Sequence, residues 1–401
     1  MDIILYAVPG FLVLILVELL AEKVRGTDYY RVNDSITSLA TGVLSQLMKI
    51  VHLMIPVAVY VVVFENYAIF SLGQSALIYL IAFVLYDFCY YWNHRLGHEM
   101  NLLWAAHVIH HSSEEYNLTT ALRQTSSSVL SFVFYLPLAL LGFDPVVVVT
   151  VGAFNLIYQY WVHTRHIGKL GWFENFFITP SNHRVHHAQN GVYIDRNYGG
   201  VFILWDRLFN SFQEELEDQP VIFGIRGAVA SWNPLWVNFQ VYSQLAKDCW
   251  HTKNLWHKLT IWFRKTGWRP PDVVDAYPLH KTDLNDFQKY HTVLTKAQKI
   301  YSITQHILHS GIALGLLLNL SSVAVEWQVV TILFVIFASF STGAFMEAKS
   351  YATMLEVSKH AALLLLMLVF APSPTLWFLI LPIAISSLIY LALAPHATKP
   401  V

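Results

Sequence analysis

The sequence predicts an all-α integral membrane protein, a multi-span helical bundle that carries a histidine-rich cap. Of its 401 residues, 55% are hydrophobic and only 13% are charged. A soluble domain carries about 25% charged residues. Apolar stretches of membrane-spanning length recur along the chain, and ten of the 19 histidines lie between residues 94 and 187. These observations together exclude an ordinary soluble domain.

Charge and cysteine usage exclude further classes of protein. The formal net charge is −1, so no basic surface excess indicates a nucleic-acid partner. The two cysteines, Cys89 and Cys249, cannot build a disulfide framework. Aromatic residues reach 15%, which suits rings seated at membrane interfaces. The composition therefore predicts a membrane protein whose polar part faces a reducing compartment.

The N-terminal apolar segments form the first predicted unit, residues 1–74. Ile3–Leu20 lacks a basic leading region and a small-residue cleavage site, so it is predicted to be a retained anchor. Ile36–Phe64 is too long for one simple span and contains Lys49 and Pro56. A broken or tilted helix, or an interfacial piece followed by a span, accommodates both interruptions.

Apolar segments also predict the remaining three units. Ala76–Trp92 runs into the first histidines, and Val129–Leu141 and Pro145–Tyr160 form a hairpin about a three-residue turn. Four segments finish the chain, of which His360–Phe370 is short for a full crossing and is predicted to be re-entrant. The predicted units are residues 75–215, the catalytic region; residues 216–300, a cytosolic polar region; and residues 301–401, the C-terminal membrane helices.

The distribution of lysine and arginine predicts the orientation. With the N-terminus outside, nearly all basic residues fall on the inside, including every one from Arg165 to Lys299. The outside connections contain none: Glu65–Ser75, Gly142–Asp144, Ser321–Glu326 and Ala371–Pro374. This bias follows the positive-inside rule in one orientation only. The histidine-rich cap is therefore predicted to be cytosolic.

Three motifs place histidines at metal-ligand spacing. The first has histidines four residues apart (H-R-L-G-H), and two more have them at i, i+3 and i+4 (H-V-I-H-H and H-R-V-H-H). Residues at these spacings share one face of a helix. With the histidine that ends the fifth apolar segment, the candidate ligands are His94, His98, His107, His110, His111, His163, His183, His186 and His187.

Nine imidazoles are more than one metal ion requires. About four to six ligands saturate a transition metal, so nine predict two ions close together. Imidazole suits iron, copper, zinc and nickel, and the ligand set does not choose among them. Redox chemistry on lipid at a membrane favours iron, because iron activates oxygen. The predicted cap is thus a dimetal centre, with two iron ions.

Several polar residues near these motifs have open roles. His166 is a weaker ligand candidate, since it lies three residues from His163. Glu99 is either a group that fixes an imidazole tautomer, a metal ligand, or a solvated carboxylate. Asp195 and Asn197 either hydrogen-bond the outer nitrogens of ligand histidines or form a connecting turn. The other histidines are predicted to be packed or at the surface: His52, His251, His257, His280, His291, His306, His309 and His360.

The ordered motifs resemble the fatty acid hydroxylase / sterol desaturase superfamily of membrane di-iron proteins. Its pattern is H-x3-H followed by two H-x2-H-H motifs, and all three stand here in order. The stretches His107–Gln124, Thr179–His187 and Asp195–Gly200 are similar to the branch that cleaves glyceryl ethers with tetrahydrobiopterin as reductant. The resemblance implies that the histidines of the three motifs bind metal, that His163 is an additional ligand, and that Glu99 is the acidic residue of the site.

That resemblance also implies an activity. The expected reaction uses O2 and a reductant to hydroxylate the ether-bonded carbon of an O-alkylglycerol, and the product collapses to a fatty aldehyde and a glycerol derivative. A fatty acid or sterol hydroxylase or desaturase with another electron donor is the closest alternative. A zinc lipid hydrolase and a metal-handling scaffold or transporter remain open from the residues alone.

Overall fold

The computed structural model describes residues 3–127, 130–370 and 374–393. Within these ranges the chain is helical, with isolated β-bridges and no strand. The helices are α1 (Ile3–Arg25), α2 (Val32–His52), α3 (Met54–Tyr67), α4 (Ala76–Glu99), α5 (Asn101–His111), α6 (Leu118–Ala121), α7 (Leu136–Leu140), α8 (Pro145–Trp161), α9 (Pro180–His186), α10 (Leu204–Leu208), α11 (Pro234–His251), α12 (Leu255–Thr260), α13 (Pro271–Ala276), α14 (Lys296–Leu318), α15 (Val325–Met346), α16 (Ala352–Phe370) and α17 (Pro374–Leu393).

Four of these helices are long and apolar enough to cross a membrane: α1, α4, α15 and α16. Taken together, α2 and α3 pass the same test with a bend of 52° between them, and the break between the two helices confirms the predicted broken helix. Pro56 has no N–H to bond the carbonyl of His52, so the ladder is interrupted at the bend. The prediction of an all-helical, multi-pass membrane protein is confirmed. Its cytosolic orientation stays a prediction.

Two predicted segments differ from the structure. The prediction that His360–Phe370 is a short, re-entrant segment is wrong, because α16 begins at Ala352 and is a full-length candidate span. Glu356 and Lys359 precede the predicted segment in the sequence, and in α16 their side chains form a buried ion pair. The first arm of the predicted hairpin is a 3-10 turn over Ser131–Tyr135 followed by α7. Val129, the predicted start of that arm, lies outside the described residues, as do Ala371–Ser373 and Lys399.

Helix α2 belongs to the first of two main helical cores. Its Leu44 and Leu47 pack into the core formed with α14, α15 and α16. A second core joins α3, α4, α7 and α8, where Ala82 and Val147 are fully buried. Against this scaffold, α4 ends at Glu99 and the chain turns at once into α5. The last turn of a membrane helix and the first cap helix therefore meet at one corner, and both carry histidines.

Candidate metal centre

Helix spacing divides the histidines between two groups. On α5, His107 and His111 belong to one group, and His110 belongs to the other. On α9 and its C-cap the division is reversed, because His183 and His187 share a group that His186 does not. Residues four apart lie on one face, and the residue between them points to the neighbouring face. Each helix thus contributes to both groups.

The two groups account for all nine predicted ligands. Within each group, one ring nitrogen from every histidine lies within 4.8 Å of those from the others. We call them the five-histidine group and the four-histidine group. The first comprises His94, His98, His107, His111 and His186, and the second comprises His110, His163, His183 and His187.

Ring nitrogens face each other at short range. The Nε2 atoms of His94 and His107 are 3.0 Å apart, and those of His183 and His163 are 3.1 Å apart. Two nitrogens bound to one ion at about 2.1 Å and at right angles lie about 3.0 Å from each other. The observed spacing therefore matches imidazoles converging on a shared ion in each group.

Backbone carbonyls fix several rings. The Nδ1 of His94 donates to the Tyr198 carbonyl at 2.7 Å, and that of His186 to the Arg196 carbonyl at 2.9 Å. Because a carbonyl only accepts, each of these Nδ1 atoms carries the ring proton. Each Nε2 therefore presents a lone pair, the form in which imidazole binds a metal.

The pair His110 and His163 tests whether a cation fits. The Nδ1 of His110 donates to the Arg123 carbonyl at 3.0 Å, and that of His163 to the Gln159 carbonyl at 2.8 Å. Their Nε2 atoms are 3.2 Å apart, so two lone pairs face each other without a proton between them. This contact is repulsive unless a positive charge lies between the atoms. The residues present therefore fit a bound metal ion.

Electrostatics and unpaired atoms agree with this fit. Burial lowers the pKa of His110 to about 4 and lowers the pKa of His111 and His187 well below the ordinary value. These imidazoles are accordingly neutral at pH 7. The buried Nε2 atoms of His98 and His186 have no hydrogen-bond partner among the residues that the structure describes. Unpaired buried nitrogens are costly, and a metal ion would satisfy both.

Two buried carboxylates hold the loop that supplies the orienting carbonyls. Asp87 of α4 accepts from the backbone N–H of Val201 and Phe202 at 2.8 and 3.0 Å. Asp206 accepts from the N–H of Tyr198 at 2.7 Å. Our sequence reasoning missed both residues. An acidic residue inside the apolar run Ala76–Trp92 was the available signal for Asp87, because charges within membrane helices mark functional positions.

Arg123 is a third residue that the sequence analysis did not assign to the site. Its side chain is 1% exposed, and its Nε donates to the Ile109 carbonyl at 3.0 Å. Asp34 of α2 provides the counter-charge at 3.5 Å. Arg123 thereby ties the end of α5 to α2 while its own carbonyl orients His110.

Glu99 lies beside the centre but outside both groups. Its carboxylate accepts from Arg95 Nε at 3.0 Å and from the Tyr198 hydroxyl at 3.3 Å. The Tyr198 carbonyl in turn accepts from His94. Glu99 therefore connects to a candidate ligand through Tyr198. His166 also lies outside both groups, with its ring tilted against Tyr29.

Asp195 and Asn197 act through the backbone. Both have positive φ angles, 60° and 54°, a conformation that Asp and Asn adopt more readily than most residues. The carbonyls of the residues after them, Arg196 and Tyr198, point to His186 and His94. The Asn197 amide itself donates to the carbonyls of Asn182 and Gln213. Of the two roles left open for Asn197, hydrogen bonding of its side chain to ligand histidines is therefore wrong.

A cavity of about 460 Å³ opens on both histidine groups. His94 and His107 of one group and His110 and His163 of the other contribute to its wall. The cavity continues between the central helices to the α2–α3 bend, and most of its lining is apolar. Ligand cavities of this kind occupy about 300–1,000 Å³. Lys49 is the one Lys, Arg, Asp or Glu among the described lining residues.

The fold and the centre define a multi-pass membrane protein with a two-part histidine site at one end of its helices. The model of the fatty acid hydroxylase family matches residues 79–211, which contain all nine candidate ligands. The chain belongs to the fatty acid hydroxylase family. The resemblance stated from the motifs is thereby confirmed.

Curated relatives cover more of the chain than the family model does. Alkylglycerol monooxygenase of Homo sapiens is 39% identical over 67% of this chain, which spans 60% of the human protein's length. Alkylglycerol monooxygenase of Danio rerio is 33% identical over 90% of this chain and 81% of its own length. Ornithine lipid hydroxylase OlsE of Rhizobium tropici is 29% identical over 38% of this chain and 46% of its own length. No solved structure shows a significant match to this chain.

Proposed function

We propose that this chain is an O2-dependent lipid monooxygenase whose nine histidines hold two iron ions. The facing lone pairs of His110 and His163, 3.2 Å apart, carry the proposal, because they require a cation and lie on the cavity wall. Iron held by imidazoles supplies oxygen activation for inserting one oxygen atom into a C–H bond. The relatives named as monooxygenase and hydroxylase support this class of reaction.

The protein's own groups would set the geometry of the site. Backbone carbonyls hold the Nδ1 protons of His94, His110, His163 and His186, so the Nε2 atoms stay available to metal at neutral pH. The buried position of the centre excludes bulk water, which protects a reactive oxidant from side reactions. Glu99, through the Tyr198 hydroxyl, would fix the position of the Tyr198 carbonyl.

An O-alkylglycerol is the proposed substrate. The apolar length of the cavity would take the alkyl chain, and hydroxyl groups on its wall would bind the glycerol head. Ser127 Oγ and Tyr242 OH line the cavity 3.1 Å apart, within reach of a neutral polyol. This assignment rests on the relatives named alkylglycerol monooxygenase.

Ether cleavage needs a balanced electron supply. One atom of O2 enters the C–H bond next to the ether oxygen, and the other leaves as water with two protons. Reduced tetrahydrobiopterin is the proposed donor of the two electrons. The hydroxylated carbon is a hemiacetal, which breaks its bond to the ether oxygen and leaves a fatty aldehyde and a glycerol derivative.

The arrangement of the chain is part of the proposal. Residues 75–215 would form the catalytic region, and the family match over residues 79–211 supports those limits. Residues 1–74 and 301–401 would be membrane helices on either side of it, with a polar region between residues 216 and 300. The centre would face the cytosol, as the distribution of Lys and Arg predicts.

The deciding experiment measures aldehyde release from an alkylglycerol by the purified, iron-reconstituted protein, with and without tetrahydrobiopterin. Oxygen-dependent and pterin-dependent release is the expected result. An acylglycerol of the same chain length is the matched control, because it lacks the ether carbon. No aldehyde from protein that holds two irons per chain would reject ether cleavage.

A second candidate is hydroxylation or desaturation of an acyl chain or sterol with another electron donor. Shorter matches to ornithine lipid hydroxylase OlsE and to Delta(7)-sterol 5(6)-desaturase erg32 of Schizosaccharomyces pombe favour it. Membranes supplied with NADPH but no pterin separate the two candidates. Turnover of an acyl lipid under those conditions would support the second.

A further inference from the structure

A basic and aromatic segment, residues 247–265, has no role in the proposed reaction. Its large apolar side chains are unusually exposed. Five of them have between 63% and 82% of their surface accessible: Trp250, Leu255, Trp256, Leu259 and Phe263. A dense exposed apolar patch on a protein marks a surface that binds another protein or a membrane.

The same segment is strongly cationic. Five of its six Lys, Arg, Asp and Glu side chains are basic: Lys247, Lys253, Lys258, Arg264 and Lys265. Its one acidic residue, Asp248, is 1% exposed and pairs with Arg269 at 2.6 Å. The accessible formal charge is therefore positive. Trp, Leu and Phe interleaved with Lys and Arg are typical of segments that lie in the plane of a membrane interface.

Backbone bonds fix the segment at the end of a membrane-spanning helix. The N–H of Thr266 donates to the Glu99 carbonyl at 3.2 Å, and the N–H of Asn101 donates to the Arg264 carbonyl at 2.9 Å. The Asn101 amide also donates to the Ile261 carbonyl at 2.9 Å. Glu99 is the last residue of α4, a candidate span. The segment is therefore held at the depth where that span leaves the membrane.

Packing makes this attachment rigid. Ile261 is fully buried against Ala105 of α5 and Leu245 of α11. The exposed side chains are consequently displayed on a fixed scaffold, and burial of Ile261 leaves them facing away from the protein core. Continuity with the end of α4 favours the bilayer over a second protein as the partner.

We propose that residues 247–265 lie in the head-group region of an anionic bilayer leaflet. The five exposed apolar side chains enter the boundary with the acyl chains, and the basic side chains bind lipid phosphates. Helix α11 connects this membrane contact to the cavity, because its Tyr242 lines the cavity wall and its last residues are in the segment. The contact fixes that wall at the level of the lipids. This proposal is independent of the reaction that the centre performs.

Nitroxide depth measurements on the full chain in lipid nanodiscs test the proposal. Labels are placed by Trp256→Cys and Leu259→Cys in a Cys249→Ser background, where the remaining Cys89 is buried. A label at Asp218→Cys, in the exposed acidic loop near Glu214 and Glu217, is the control. The ratio of collisions with O2, which concentrates in lipid, to collisions with a water-soluble nickel complex should be at least about fivefold higher at 256 and 259 than at 218.

Two outcomes overturn the proposal. Ratios at 256 and 259 equal to that at 218 place the segment in water. Low collision rates with both reagents place it under a protein, such as a second copy of the chain. Either result is clear even if one label perturbs the fold, because the two labelled positions must agree.

The preference for anionic lipid has its own test. Phosphatidylserine in the discs should raise the collision ratio at position 259 relative to discs of phosphatidylcholine alone. Lys247→Glu combined with Lys253→Glu, two changes at exposed positions, should remove that rise and leave the phosphatidylcholine value unchanged. An equal rise in the charge-reversed protein would overturn the role of the basic side chains.

Discussion

The imidazole rings of His111 and His187 stack 4.3 Å apart with an angle of 22° between their planes. His111 belongs to the five-histidine group and His187 to the four-histidine group. The two groups are therefore in direct contact, and no other residue separates them at this point. A change in the geometry of one group is therefore expected to alter the geometry of the other.

Substitution of His110 tests the ligand assignment. His110→Ala should reduce turnover by more than about 100-fold, since loss even of a group that orients a ligand costs about 10–100-fold. Iron per chain should fall while insertion into the membrane is retained, because no apolar anchor is removed. Retained activity would reject His110 as a ligand. His291→Ala, at an exposed position outside both groups, is the control and should be nearly silent.

Substitution of Asp87 tests the support of the loop. Asp87→Ala leaves the N–H groups of Val201 and Phe202 and the indole of Trp205 without their acceptor. Each buried donor left unsatisfied costs about 1–3 kcal/mol, so a large drop in thermal stability and in iron content is expected. Asp283→Asn, at an exposed position, should change neither. Unchanged iron binding in Asp87→Ala would show that the loop does not need this anchor.

The hydroxyl pair on the cavity wall gives a kinetic prediction that rests on the proposed substrate. Tyr242→Phe removes a hydrogen bond of about 0.5–1.5 kcal/mol, so KM for an alkylglycerol should rise roughly twofold to tenfold. The kcat should change little, because Tyr242 lies outside both histidine groups. Tyr277→Phe, at an exposed tyrosine that does not line the cavity, is the matched control. An unchanged KM would place the head group elsewhere.

Asp206 gives a pH-dependent prediction. Burial raises the pKa of Asp206 from 3.8 to about 6, so the folded protein binds this proton more tightly than the unfolded chain does. The contribution of Asp206 to stability is then greatest below pH 4 and declines as the pH rises to 6, by about 3 kcal/mol. The melting temperatures of the metal-free parent and of the metal-free Asp206→Asn protein are measured from pH 4 to 7.5. The difference between the two temperatures should change only as the pH rises from 4 to 6. A constant difference would contradict the shift.

Metal removal and replacement separate the redox and hydrolytic hypotheses. A chelator should lower the melting temperature and abolish turnover, because metal bound only to the folded state adds stability. Iron should restore both properties, and zinc should restore stability alone. Turnover by the zinc protein without oxygen would instead support a lipid hydrolase.

Much of the centre could be predicted from the sequence because helix geometry is local. Spacings of three and four residues place His107, His110 and His111 along one side of a helix whatever surrounds it. His163 joined the prediction only as the end of an apolar segment, and the structure brings it to 3.2 Å from His110. The broken helix at Pro56 was also predictable, because a proline lacks the N–H that a helix needs.

The rest depends on contacts between distant parts of the chain. The carbonyls of Arg196 and Tyr198 have no sequence signature, since every residue has one, and only the folded loop aims them at His186 and His94. The full length of α16 was missed because Glu356 is a charged residue type, and its hydrogen-bond donors Tyr301 and Ser341 come from α14 and α15. The roles of side chains were thus predicted correctly from the sequence where their partners are local, and incorrectly where their partners come from other helices.

The reversed division of histidines between α5 and α9 restricts how this protein can vary. Insertion or deletion of one residue within α5 turns every later side chain by about 100°. Such a change moves histidines of both groups at once, because neighbouring positions of the helix belong to different groups. A small insertion in either helix therefore cannot change one histidine group and leave the other intact. Loss of the centre would be abrupt and complete, whereas loops that neither carry nor orient a ligand histidine remain free to lengthen.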